Sequence, residues 1–161
     1  MSKDNNTYLQ DILTQFRQRN LTEWRKIENE IKPPPHFIQT YEKADGKNVY
    51  IYSEGLMPNH FSEASAIVGN CKRNGSMFPD LNILTLYDDN SIDAEFMFID
   101  TDVKLKVNYR FDTFYCPNHT ISITHSYKPS WSEYYLFSVE KYHSGIKVSV
   151  QMSIPLAFCK F

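Results

Sequence analysis

The clearest structural signal in the chain is the sequence IDAEFMFIDTDVKLKVNYRF, residues 92–111. Apolar and polar residues alternate on both sides of a two-residue turn at Asp100-Thr101, the pattern of a β-hairpin with one buried face. Pairing across the turn sets apolar residues opposite each other: Phe98 and Val103, Phe96 and Leu105, Ala94 and Val107, Ile92 and Tyr109. Glu95 then faces Lys106 on the other side. A one-residue slip would bury the lysines, so the pattern predicts this register.

The segments around this hairpin extend the β pattern. Before it, a four-residue loop at 88–91 is expected to set Tyr87 opposite Ile92 and Ile83 opposite Phe96. Further strands are predicted at 36–41, 48–53, 119–127, 133–140 and 145–154. Successive strands with short connectors indicate an antiparallel meander.

The last strands have one apolar and one polar row. In the final strand the predicted inward row is Ile146, Val148, Val150, Met152 and Ile154. We interpret two polar rows as a solvent face or, alternatively, a polar platform for a ligand. These rows are Thr120, Ser122, Thr124 and Ser126 in one strand, and Ser149, Gln151 and Ser153 in another.

Two helices are predicted ahead of the sheet. Residues 7–19 carry an apolar stripe at helical spacing, formed by Leu9, Ile12, Leu13 and Phe16. A looser stripe predicts a second helix over 22–31, which the prolines at 33–35 terminate. A short helix is expected near 62–68. Since an apolar stripe must be buried, we expect the first helix to pack on the sheet.

These elements indicate an α+β fold that is mostly β, in one domain spanning 1–161. Residues 1–35 form the helical N-terminal segment, and 36–161 form the antiparallel sheet. The expected architecture is two helices packed on a curved sheet of about six to eight strands, as a meander, half-barrel or cone.

Composition excludes several function classes. The net charge is −2, without the basic excess of a nucleic-acid-binding protein. There is no long apolar run for a membrane span and no signal peptide, so we predict a cytoplasmic protein without membrane association. Three cysteines without CxxC spacing indicate neither a disulfide framework nor a zinc site. No nucleophile motif or nucleotide fingerprint occurs, so we expect no cofactor and favour a binding protein over an enzyme.

An acidic segment at 74–103 is the strongest charge asymmetry. It contains seven acids and no Lys, Arg or His. Such a field attracts basic partners. The predicted partner-binding residues are Asp88, Asp89, Asp93, Glu95, Asp100 and Asp102, with Tyr87 as an aromatic anchor. The first functional hypothesis is therefore an inhibitor of a basic protein, comparable in type to bacterial immunity proteins that neutralise nuclease toxins. The alternative explanation is that these acids are turn residues and solvating charges.

The second hypothesis is a pocket protein. Helices followed by a strongly bent antiparallel sheet can form a cone, the architecture of nuclear-transport-factor-2-like domains. Such a cone encloses a cavity for a small molecule. The candidate pocket residues are Tyr109, Asp112, His119 and His125, which could supply an acid–base pair or bind a small molecule. A cone requires polar groups that converge inside a cavity, whereas an inhibitor keeps its polar groups outside a filled core.

Overall fold

A computed structural model describes most of the chain, namely residues 5–27, 38–70, 81–87, 91–97, 104–126 and 133–156. The helices are α1 (Asn5–Arg17) and α2 (Phe61–Val68), and a 3₁₀ turn spans Leu21–Glu23. The strands are β1 (Arg25–Ile27), β2 (Ile38–Ala44), β3 (Asn48–Met57), β4 (Leu81–Leu86), β5 (Ser91–Met97), β6 (Lys104–Cys116), β7 (His119–Ser126), β8 (Tyr134–Tyr142) and β9 (Gly145–Pro155).

These strands form one antiparallel sheet in the order β1-β2-β3-β9-β8-β7-β6-β5-β4. The predicted meander is confirmed from β4 to β9. A second meander, β1 to β3, joins it through β3 and β9, from Asn48 opposite Pro155 to Met57 opposite Ile146. The part of the chain described therefore contributes nine strands to the sheet, more than the six to eight predicted.

The predicted register of the hairpin formed by β5 and β6 is confirmed wherever it is described. Ile92 lies opposite Tyr109, and Phe96 lies opposite Leu105. Glu95 lies opposite Lys106. The turn itself, with Phe98 and Val103, falls outside the described residues. The alternation of apolar and polar residues is enough to predict this register, because only one register keeps charged and apolar residues apart.

The predicted pairing of the preceding hairpin is wrong. Leu86, not Tyr87, lies opposite Ile92, and Ile83 lies opposite Ala94 rather than Phe96. The register shifts between Ile83 and Thr85, which leaves one extra residue in β4. The pair nearest the loop is already one position away from the prediction, and a β-bulge displaces the pairs beyond it by one more. Strict alternation reveals neither change.

Helix α1 packs on one face of the sheet, as predicted. Its stripe is 2–7% exposed and belongs to a core with strands β3, β7 and β8. The residues of this core are Leu9, Ile12, Leu13, Phe16, Tyr52, Ile121, Ile123, Tyr134 and Leu136. We call this side of the sheet the α1 face. Burial of the stripe stabilises a helix whose thirteen residues would be marginal in isolation.

The second predicted helix is wrong over its described part. Leu21–Glu23 is a 3₁₀ turn, and Arg25–Ile27 is an edge strand paired with β2. Leu21 and Trp24 still share a face, because a spacing of three residues fits a 3₁₀ turn. Asn20 caps the turn by accepting a hydrogen bond from the backbone N–H of Thr22, at 3.2 Å. Residues 28–31 lie outside the described residues.

The opposite side of the sheet carries a second core and helix α2; we call it the α2 face. Its buried members are Ile92, Ala94, Tyr109, Phe111, Tyr135 and Phe137, with Val68, Val150 and Met152 packed against them. Helix α2 is tied to the sheet where the hydroxyls of Ser65 and Thr120 lie 2.6 Å apart. The short helix predicted near 62–68 is thereby confirmed. Both faces of the sheet are therefore covered over its central strands.

No helix in the described ranges is long and apolar enough to cross a membrane.

Candidate functional site

From residue 149 to residue 153, the two rows of strand β9 are buried in the reverse of the expected order, although Ile146 of the predicted inward row is buried. Ser149, Gln151 and Ser153 are only 1–4% exposed, whereas Val150 and Met152 are half-buried. Tyr52 lies opposite Gln151, which places the polar row on the α1 face. The polar row of β7 is buried as well, on the α2 face, except for Ser126, whose side chain is not described. The solvent-face interpretation of both rows is therefore wrong.

A buried carboxyl lies on the α2 face. Glu133 precedes β8 and is 3% exposed. Its Oε1 accepts hydrogen bonds from the hydroxyls of Tyr109, at 2.7 Å, and Tyr135, at 2.5 Å. Its other oxygen, Oε2, has no hydrogen-bond partner among the described residues, and neither does Oγ1 of buried Thr124. Thr124 lies opposite Tyr135, which donates to Glu133, so both atoms without partners belong to this face.

Burial controls the ionisation of this group. Loss of water raises the pKa of Glu133, although the two tyrosine hydrogen bonds oppose that shift. Burial and the neighbouring carboxyl also raise the pKa of Tyr109 and of Tyr135. Both hydroxyls therefore keep their protons and act as fixed donors. The carboxyl of Glu133 can accept a hydrogen bond at Oε2 when it is ionised, and it can donate one when it is protonated.

Apolar side chains share the α2 face with Glu133. Phe111, Phe137 and Ile92 lie on the same face, and the half-buried side chains of Val150 and Met152 continue this surface onto β9. An apolar wall with a few polar groups is typical of sites for small, mostly hydrophobic molecules. The arrangement can enclose an apolar body and orient one polar group.

A separate cavity lies on the α1 face. It has a volume of about 690 Å³ and lies between α1, the 3₁₀ turn and strands β2, β3, β8 and β9. Its wall includes Tyr8, Arg19, Trp24, Tyr50 and Gln151. Charged side chains also line this cavity, among them Asp11, Glu23 and Lys43.

The four pocket residues predicted from the sequence do not converge. Tyr109 lies on the α2 face, beside Glu133. Asp112 and His125 are on the α1 face, where Nε2 of His125 lies 2.9 Å from Oδ2 of Asp112. His119 pairs with the hydroxyl of Ser138, and burial lowers the pKa of this histidine.

The structure describes only part of the predicted acidic surface. Asp93 accepts hydrogen bonds from the hydroxyl of exposed Tyr87, at 2.5 Å, and from Nδ2 of Asn108, at 2.7 Å. These bonds lower the pKa of Asp93. Glu95 faces Lys106 across the hairpin. Asp88, Asp89, Asp100 and Asp102 lie outside the described residues.

Sequence reasoning missed Glu133 and gave Gln151 no role of its own. Alternation does contain a signal for Glu133, because it places residues 133, 135 and 137 on one face of β8, next to two aromatic residues. Gln151 had no such signal, since its burial depends on a helix more than 130 residues earlier in the chain. Within the described ranges, no cluster of three or more His, Cys, Asp or Glu residues could hold a metal ion.

Comparison with known proteins identifies the fold. Neither a protein-family model nor a curated protein sequence matches this chain. Among solved structures, human STARD10 matches with a TM-score of 0.62 and 7% identity, over 96% of this chain and 69% of that one. Human StAR-related lipid transfer protein 5 gives 0.62 and 10% identity, over 92% and 79%. A STAR-related lipid transfer protein from Xanthomonas axonopodis gives 0.56 and 12%, over 81% and 80%.

These likenesses show a fold shared with StAR-related lipid transfer proteins, and they overturn the hypothesis of a toxin inhibitor. The acidic segment suggested a basic partner, but charge patterns describe surfaces and carry no information about the fold beneath them. The pocket-protein alternative is closer, although two of these three structures are named StAR-related lipid transfer proteins and none of the three is named a nuclear-transport-factor-2-like domain.

Proposed function

We propose that the chain binds a small, mostly apolar molecule, such as a lipid, on the α2 face, with Glu133 as the contact for its polar group. The observation that carries this proposal is the unpartnered Oε2 of a carboxyl that is 3% exposed and lies beside an apolar core. A buried polar atom without a partner costs about 1–3 kcal/mol, and a ligand group that bonds to it removes that cost.

The rest of the face agrees with this proposal. Val150 and Met152 are half-buried, so they can lose further apolar surface to a ligand. Burying such surface contributes roughly 25 cal/mol per Å². The likeness in fold to StAR-related lipid transfer proteins supports the same ligand class. The predicted cytoplasmic location is compatible with this function and remains a prediction.

The test measures binding of fluorescent fatty-acid and phospholipid probes to the purified chain and to two matched variants. Met152→Asp places a charge on the α2 face, and we expect it to weaken probe binding by tenfold or more, at least about 1.4 kcal/mol. Leu84→Asp is the control, because Leu84 is 51% exposed, in β4. It should bind the probes as the parent does.

Circular dichroism melting of both variants separates a binding defect from unfolding. Failure of every probe to bind the folded parent would contradict the proposal. Equal weakening by Met152→Asp and Leu84→Asp would contradict it too, since it would show that the probes bind apolar surface without selecting the α2 face.

A further inference from the structure

The cavity on the α1 face has the size of a ligand site and lies on the other side of the sheet from Glu133. Its volume of about 690 Å³ falls within the range of roughly 300–1,000 Å³ seen for small-molecule sites. A sheet separates it from the α2 face, so whatever occupies it need not be the apolar ligand proposed above.

Three residues of its wall carry buried polar atoms with no hydrogen-bond partner in the described part of the chain. These atoms are the hydroxyl of Tyr8, Nε of Arg19 and Oε1 of Gln151. Gln151 is 2% exposed, and its Nε2 already donates to the hydroxyl of Tyr134 at 2.7 Å. This bond assigns Nε2 to Tyr134 and leaves Oε1 as an acceptor that still needs a donor.

Arg19 is held rigidly beside the cavity. Its Nη1 donates to the backbone carbonyl of Phe16, and its Nη2 donates to the hydroxyl of Tyr52, both at 2.5 Å. The guanidinium also lies 4.5 Å from the ring centre of Phe16 and 4.1 Å from that of Tyr52. A guanidinium fixed in this way keeps Nε available as a donor at little cost in side-chain entropy.

Aromatic rings form another part of the wall. Trp24 and Tyr50 meet edge to face, with ring centroids 6.4 Å apart. Burial and the hydrogen bond to Asp45 raise the pKa of Tyr50 to about 12, so its hydroxyl keeps its proton. Such rings present flat apolar surface between the polar groups.

The charges of the wall do not favour an ion of either sign. Arg19 and Lys43 lie among three carboxylates, those of Asp11, Glu23 and Asp45. Lys43 lies 3.8 Å from Glu23, and Asp45 accepts hydrogen bonds from its own turn. A ligand must therefore donate to Gln151 and accept from Arg19 without carrying much net charge. Hydroxyl groups do both.

We propose that the α1-face cavity binds a neutral polyhydroxylated molecule, a monosaccharide, disaccharide or cyclitol. Its hydroxyls bond to Gln151 Oε1, Arg19 Nε and the Tyr8 hydroxyl, while its C–H face lies against Trp24 and Tyr50. This inference does not depend on the function proposed for the α2 face.

The experiment screens the purified chain by ligand-observed NMR. The panel contains neutral mono- and disaccharides and inositol, with sugar phosphates and free amino acids as charged comparisons. We expect binding of at least one neutral member with a Kd below roughly 10 mM. Tyr8→Phe removes one unpartnered hydroxyl, and Gln151→Met removes the unpartnered acceptor. Each should weaken that binding by about tenfold.

Tyr142→Phe is the matched control, because Tyr142 is exposed at the end of β8, outside the cavity wall. It should bind as the parent does. Tyr8→Phe should melt no lower than the parent, since the hydroxyl it removes has no described partner, and this keeps the test valid if Gln151→Met unfolds. Binding of charged members alone, no binding at all, which would mean a cavity filled by water only, or binding unchanged in Tyr8→Phe would each overturn the proposal.

Discussion

The two faces of the sheet differ in how completely they cover the residues of β9. On the α1 face, an amphipathic helix covers a mixed surface, so that Gln151 and Ser153 are as buried as Leu13. On the α2 face, the polar row of β7 is buried together with an apolar core, yet the β9 residues Val150 and Met152 remain half-buried. The more polar row of β9 is thus the better covered one.

This difference shows what alternation can and cannot establish. Backbone geometry places every second residue of a strand on the same face, so the alternation of apolar and polar residues shows which residues share a face. Which face is covered depends on what packs against it, and that element can come from anywhere in the chain. When both faces are covered, the polar row is not evidence of solvent. It is instead where a binding site should be sought.

The largest loss of stability is expected from a charge buried under α1. Leu13→Asp puts a carboxylate at a position 2% exposed, and we expect it to lower the free energy of unfolding by about 3–5 kcal/mol. Val150→Asp makes the same kind of change on the half-buried row of β9, and it should cost about 1 kcal/mol. Urea unfolding measures both. Equal losses would show that the two faces are equally closed.

The next largest effect concerns the buried carboxyl of the α2 face. Glu133→Ala removes the acceptor of the Tyr109 and Tyr135 hydroxyls, and leaving buried donors unpaired costs about 1–3 kcal/mol each. Glu133→Gln keeps a carbonyl acceptor, so it should be much closer to the parent. Thermal melts of the two variants give the comparison. An alanine variant as stable as the glutamine variant would mean that the two hydroxyls find other acceptors.

The Glu133→Gln variant also tests how the ionisation of this carboxyl affects stability as the pH changes. Because burial raises the pKa of Glu133 above its usual 4.5, the folded chain holds this proton to a higher pH than the unfolded chain does. Stability contributed by the protonated group is therefore complete below about 4.5 and is lost as pH rises through the folded-state pKa. Relative to the parent, Glu133→Gln should become more stable over that rise. A constant difference from pH 4 to pH 8 would contradict the raised pKa.

The smallest effect tests the hairpin whose register the sequence predicted. Lys106→Glu places two carboxylates opposite each other, because Glu95 is its partner across the strands. Cross-strand pairs of this kind are worth roughly 0.2–1 kcal/mol, and 1 M salt should reduce the loss. Restoring the opposite charge with Glu95→Lys in the same chain should recover most of it. No recovery would place these side chains out of contact.

The sequence predicted the strongly patterned elements well and failed where one apolar pattern fits more than one local structure. The α1 stripe and the hairpin of β5 and β6 were correct because each depends on local period and on a separation of charged from apolar residues. The bulge in β4 and the 3₁₀ turn near Trp24 were missed, since one extra residue or a spacing of three scarcely changes an apolar pattern.

The candidate sites show a second limit. Of the four pocket residues proposed from the sequence, only Tyr109 lies beside the buried carboxyl. Asp112, His119 and His125 were chosen because their chemistry is versatile, but residue type does not indicate which side of a bent sheet a side chain faces. Glu133 could have been found by asking which acid shares a face with aromatic neighbours. Arg19 and Gln151 come together only in the folded chain.

The junction of β3 and β9 has a consequence for how the chain is made. Asn48 Nδ2 donates to the Ser153 hydroxyl across a separation of 105 residues, and the whole of β3 pairs with a strand near the end of the sequence. On the ribosome, the first three strands emerge long before this partner exists. Pairing over such distances is slow, and unpaired strand edges are prone to aggregate meanwhile. The sheet can therefore be completed only once β9 has left the ribosome, and the chain is a candidate for protection by a chaperone until that strand is available.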